Sequence, residues 1–91
     1  MNDRENLNGL SAEIKVMMVN GQTLVDGTRK RVKAGGVDLT GKLQLRDDCA
    51  AVEKAIKKLE KGKYKQKDID ELRLAIIRLQ TTSEGILHPQ G

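Results

Sequence analysis

Tryptophan and phenylalanine are absent from this sequence, and Tyr64 is its one aromatic residue. Any core must then be built from Leu, Ile, Val, Met and Ala. That palette suits helix-on-helix packing better than a sheet sandwich, which leans on aromatic and β-branched residues. Cys49 is the single cysteine and His88 the single histidine. One cysteine excludes an intramolecular disulfide and is compatible with a reducing compartment. One of each leaves almost no raw material for a zinc site or for histidine-based catalysis. No apolar run approaches the roughly 20 residues of a membrane span. The polar start Met1-Asn2-Asp3-Arg4-Glu5 is not a secretory signal.

Charge, in contrast, is plentiful. A third of the residues are charged, as on a solvated helical surface, and 17 Lys and Arg against 13 Asp and Glu leave a formal net charge of +4. The chain is mildly basic, so nucleic acid is a partner class to weigh. Ninety-one residues make one small domain that buries only a modest share of its surface.

Residues 1–10 read as a polar N-terminal segment, residues 11–87 as a helical bundle and residues 88–91 as a tail. In the first pattern, apolar residues recur at Leu7, Leu10, Ile14, Met17, Leu24 and Val32, with Thr28 between the last two. This is one helical face with a gap at Gly21. Gly21 and Gly27 each cost about 1 kcal/mol against Ala inside a helix. The pattern predicts a helix over 11–34 with a bend or thinning near Asn20-Gly21. Gly35-Gly36 stops it and turns the chain back. The linker is expected to place Leu39 as a plug at the open end of the bundle, with Thr40 capping the second helix.

The second stripe is Leu45, Cys49, Val52, Ile56 and Leu59, on a helix expected over 42–61. Asp47 and Asp48 in its first turns and Lys57, Lys58 and Lys61 in its last match the helix dipole, and Gly62 ends it. Next comes a lysine-rich turn around Tyr64. The third stripe is Ile69, Leu72, Ile76, Leu79, Ser83 and Ile86, widened by Leu74 and Ile77. It predicts a helix over 69–84, opened by Asp68 with Glu71 three residues on in the manner of a capping box and closed by Gly85 and Pro89.

Three helices with short connections predict an all-α, antiparallel up-down-up bundle. At 1.5 Å per residue the first helix would span roughly 36 Å and its partners about 24–30 Å. A longer first helix leaves Leu7, Leu10, Ile14, Met17 and Met18 as an apolar stripe the bundle does not cover, and such a stripe marks a contact surface. It predicts self-association of the chain as a homodimer.

The segments Gly21-Gln22-Thr23-Leu24-Val25-Asp26-Gly27-Thr28-Arg29-Lys30, Val52-Glu53-Lys54-Ala55-Ile56-Lys57-Lys58-Leu59-Glu60 and Asp68 to Ile86 together resemble the C-terminal helical lid of the seventy-kilodalton heat-shock chaperones, the DnaK type. The resemblance covers about residues 20–86, with a glycine-containing link and a lysine-rich link between the segments as in the family. It implies a cytoplasmic stress-response protein and a non-catalytic lid that closes over an extended peptide and slows its release. The implied partners are the parent chain's peptide-binding domain and unfolded client peptides. No cofactor is implied for these residues, since ATP would bind another domain of the parent. The family places a latching acidic residue after the glycine. Gln22 stands there in this chain, and Asp26, one turn on, offers the carboxylate instead. The acidic recognition tail of eukaryotic cytosolic members is absent.

Other signals have plainer readings. The cluster Lys57, Lys58, Lys61, Lys63, Lys65 and Lys67 fits dipole matching and a solvated loop better than a phosphate site, because stacking aromatics are missing apart from Tyr64. Arg29-Lys30-Arg31 fits a last helical turn. Cys49 fits a small buried residue better than a nucleophile. The Asp47-Asp48 and Asp68-Asp70-Glu71 carboxylates fit helix starts better than metal or acid-base chemistry. Gly35-Gly36 and Gly41 fit turns rather than a phosphate cradle. The alternative function is a free-standing basic adaptor for nucleic acid or a partner helix. Nucleic acid and membrane are the disfavoured partners.

Overall fold

A computed structural model describes residues 12–87. They form three helices, α1 (Ala12–Lys33), α2 (Leu39–Glu60) and α3 (Gln66–Leu87), and no strand occurs among the described residues. The contacts set the topology. On α1 and α2, Gln22 and Arg29 both reach Glu53. On α2 and α3, Lys58 meets Glu71 and Gly41 faces Ile86, so numbers rise on one helix as they fall on the other. Between α1 and α3 they rise together, from Gly21 against Ile76 to Arg31 against the Leu87 carbonyl. This is the expected up-down-up three-helix bundle.

The expected difference in helix length is absent. Each helix has 22 residues, or about 33 Å. The second and third helices are longer than their apolar stripes because their caps lie further out. Asp38, not Thr40, caps α2, with its Oδ1 accepting from the Gly41 N–H at 2.8 Å. Leu39 therefore opens the helix and is 71% exposed rather than plugging the bundle, while Val37 is the half-buried residue there. Gly41 lies inside α2 and is buried. A Cβ there would come 3.0 Å from Val37 Cγ1 and 3.2 Å from Ile86 Cγ2, so the missing side chain lets the start of α2 meet the end of α3.

At α3, Asp68 is the third helical residue, and its Oδ2 reaches back to accept from the Lys65 N–H at 2.9 Å. This is one half of a capping box, displaced from the expected start. Gly85 does not end α3, which continues to Leu87. Gly35, Gly36 and Gly62 do take positive φ, ending α1 and α2 in left-handed turns.

The core is mainly aliphatic, with Cys49, Thr28 and Ser83 buried among the hydrocarbon side chains. Leu45, Cys49, Val52, Ile56 and Leu59 of α2 are all buried, together with Ala55. From α3 come Leu72, Ala75, Leu79 and Ser83; Ile69, Ile76 and Ile86 pack half-buried at its edge. Leu74 and Ile77 face outward instead of widening the core. On α1 the seam is Ile14, Gly21, Val25 and Thr28, with Leu24 and Val32 half-buried beside it. The helix runs unbroken through Gly21, which is no gap. A Cβ at Gly21 would stand 3.2 Å from both Ile76 Cδ1 and Val52 Cγ1, so the glycine is the point where α1 seats closely on α2 and α3.

Candidate functional site

The stripe expected to be uncovered is largely covered. Ile14 is 8% exposed and belongs to the core, and Met17 and Met18 are half-buried against it. On that side Gln66, Ile69 and Arg73 of α3 form a cleft with Ile14 and Met17. Leu7 and Leu10 lie outside the described residues. The apolar side chains that α1 does present to solvent are Val16 and Val19, 58% and 63% exposed. Val19 joins Met18 and Gln22 of α1, with Ile56 and Glu60 of α2, around a shallow groove. A second exposed pair, Leu74 and Ile77, lies on α3.

The residues expected to latch are engaged within the bundle. Gln22 Nε2 donates to Asp26 Oδ1 at 3.1 Å and reaches Glu53 Oε2 at 3.5 Å. The Arg29 guanidinium grips the same carboxylate with both arms, Nη1 to Oε2 and Nη2 to Oε1, each at 2.8 Å. A bidentate charge-assisted pair of this kind fixes geometry as well as adding energy. The hydrogen bonds from Arg29 hold the Glu53 carboxyl below the usual carboxylate range, against the upward push of burial, and Gln22 adds to the effect. Glu53 in turn raises the Arg29 pKa. Asp26 is exposed and remains reachable from outside.

The other charged groups divide between structural and solvated roles. Lys58 pairs with Glu71 at 3.1 Å across α2 and α3. Asp70 accepts from Gln66 at 3.1 Å and lies 3.6 Å from Arg73. Asp47 and Asp48 sit in the middle of α2 rather than in its first turns, because the helix starts at Leu39. They therefore do not match the dipole, and Asp48 Oδ2 is buried with no hydrogen-bond partner. Lys61, Lys63, Lys65 and Lys67 are exposed around the α2–α3 turn, while Tyr64 packs against the core. Cys49 is buried, and desolvation pushes its thiol pKa up despite the nearby Arg29 charge. No group of three or more His, Cys, Asp or Glu gathers as a metal site among the described residues.

One cleft has no counterpart in the sequence patterns. Where the C-terminal half of α1 meets the N-terminal half of α2, Val32, Leu45 and Cys49 line a cavity of about 320 Å³. Arg29, Lys33, Lys42 and Arg46 stand around it. The residues come from both sides of the Gly35-Gly36 turn, so only the antiparallel pairing brings them together.

Among the described residues no helix is long and apolar enough to cross a membrane. No protein-family model matches this chain, and neither the curated proteins nor the solved structures contain a match.

Proposed function

We propose that this bundle is the lid subdomain of a DnaK-type chaperone, a non-catalytic module that closes over a client peptide held by a neighbouring domain and delays its escape. One observation carries the reading. The three family-like segments fall on three consecutive helices of a single up-down-up bundle, in the order the resemblance requires. Gly21 to Lys30 then forms the C-terminal part of α1, and Ala12 to Asn20 is the part directed at the peptide-binding domain. The exposed Val16 and Val19 then serve as the contact surface toward that domain, in place of the expected stripe of Leu7, Leu10, Ile14, Met17 and Met18.

The test is a graft. The chain is fused behind a DnaK-type peptide-binding domain that lacks its own lid, and release of a fluorescent extended peptide is timed. Slower release than from the lidless domain is expected. The slowing should disappear in Val16→Asp/Val19→Asp, while the helical circular dichroism of the fusion stays constant. Release as fast as from the lidless domain overturns the reading.

The adaptor alternative draws on the four exposed lysines of the α2–α3 turn. Tyr64 lies against the core and offers no stacking platform. Salt-steep micromolar gel-shift binding, lost on replacing Lys61, Lys63 and Lys65 with Gln, would favour that alternative.

A further inference from the structure

The cleft between α1 and α2 combines two properties that point to a ligand class. Its floor is apolar: Leu45 and Cys49 are 1% exposed, and Val32 is half-buried beside them. Its rim is cationic, and the four cations are not equally committed. Arg29 is gripped by Glu53. Arg46 lies 3.9 Å from Asp47, a loose contact between two well-exposed groups. Among the described residues Lys33 and Lys42 form no ion pair at all. Lys42 stands in the first turn of α2, where the helix dipole adds positive potential.

We propose that this cleft binds a small amphiphilic anion, an unbranched alkyl carboxylate of medium chain length. The alkyl chain lies along Val32 and the methylene stems of Lys33, Lys42 and Arg46, above the buried Leu45 and Cys49. The carboxylate sits between the Lys33 and Lys42 ammonium groups. About 320 Å³ is the low end of small-ligand pockets, enough for a single chain and too little for a folded partner. The half-buried Val32 and the aliphatic stems around it disfavour a purely ionic ligand, because inorganic phosphate would leave that apolar surface wet. The rim disfavours a cation or a neutral chain.

The site lies near the α1 C-terminus, 16 residues beyond Val16 and so about 24 Å along the helix. It therefore stands or falls separately from the lid reading. The experiment is a titration of the full 91-residue chain with decanoate, decanol and decyltrimethylammonium, followed by backbone amide resonances at low salt. Decanoate should give saturable shifts confined to amides near Val32, Lys33, Lys42, Arg46 and Cys49. Decanol and the cation should bind more weakly. Both lysines are exposed, so Lys33→Gln/Lys42→Gln should keep the helical spectrum and weaken decanoate binding roughly three- to tenfold. Decanol binding as tight as decanoate overturns the role of the charge. Shifts scattered over all three helices, or none at millimolar ligand, overturn the site.

Discussion

The seat of α1 on its partners can be tested by adding one methyl group in two places. Gly21 and Gly27 both lie inside α1. Either glycine costs about 1 kcal/mol relative to Ala in a helix interior, so Gly→Ala begins with that gain at both positions. At Gly27 nothing lies within 4 Å of a new Cβ, and the gain should appear in full. At Gly21 the new methyl meets Ile76 Cδ1 and Val52 Cγ1 at 3.2 Å and Ile76 Cγ1 at 3.4 Å. Ordinary carbon contacts are about 3.5–4.0 Å, so a neighbour must move by a few tenths of an ångström. The end of Ile76 can yield, but Val52 is fully buried and stiff at its branch point. Overpacking of this kind costs about 1–3 kcal/mol. The two identical substitutions should therefore differ by about 1–3 kcal/mol. In urea unfolding followed by circular dichroism, that separates their midpoints by roughly 0.5–2 M. Ile76→Val removes the offending Cδ1, so combining it with Gly21→Ala should cost less than the sum of the two single changes. Equal stabilisation by Gly21→Ala and Gly27→Ala would refute the reasoning, since α1 could not then be seated on Val52 and Ile76.

The same geometry sets three further outcomes. Glu53→Gln should cost at most about 1 kcal/mol at neutral pH, because Arg29 and Glu53 are 49% and 31% exposed and solvent screens the pair. Glu53 has a lowered folded-state pKa, so its contribution is complete above the unfolded value of about 4.3 and fades as pH falls through the folded one. Urea midpoints of wild type and variant should converge in acid, and a gap that persists at about pH 2 argues against the pair. Burial raises the Cys49 pKa, so the unfolded chain releases its thiol proton first and stability declines as pH rises past about 8.5. Cys49→Ala should remove that decline, and native-state thiol labelling should be slow until denaturant is added. Leu79→Ala should cost about 2–5 kcal/mol and lower the melting temperature by roughly 10 °C or more. Leu74→Ala, on the solvent side of the same helix, should stay within about 0.5 kcal/mol. Similar losses at both positions would mean that α3 is rotated about its axis.

The all-α architecture is legible because the stripe from Leu45 to Leu59 repeats at strict helical spacing, and each of those residues is buried. The third stripe, taken from hydrophobicity alone, comes out one side too wide. Leu74 and Ile77 are apolar yet exposed, whereas Ala75, which the stripe omits, is buried. Hydrophobicity marks a face only approximately where small residues make the close contacts. Gly21 shows the same effect more strongly: a residue with no side chain registers as a gap in an apolar pattern, although here it is a point of close contact in the seam. Helix ends are the least legible feature, and an error there spreads. Asp38 and Asp68 each make a backbone hydrogen bond that other residues nearby could equally have claimed. Two starts that lie three residues earlier, an α3 that runs three residues past its expected end, and a slightly shorter α1 together equalise the helices and remove the overhang on which the contact stripe depends. The Arg29–Glu53 pair and the cation-rimmed cleft join residues remote in sequence, so no local pattern could have located them.

Three rods of equal length have a mechanical consequence. An odd number of passes sends the backbone in at one pole, beside the lysine turn, and out at the other, beside Gly35-Gly36. Whatever is joined before Ala12 and after Leu87 is therefore held about 33 Å apart, as by a strut. Tension between those attachments runs parallel to the rods and would slide them past one another rather than peel them open. The close fit at Gly21 and the two-armed grip on Glu53 both lie across that sliding direction, where a lock resists most.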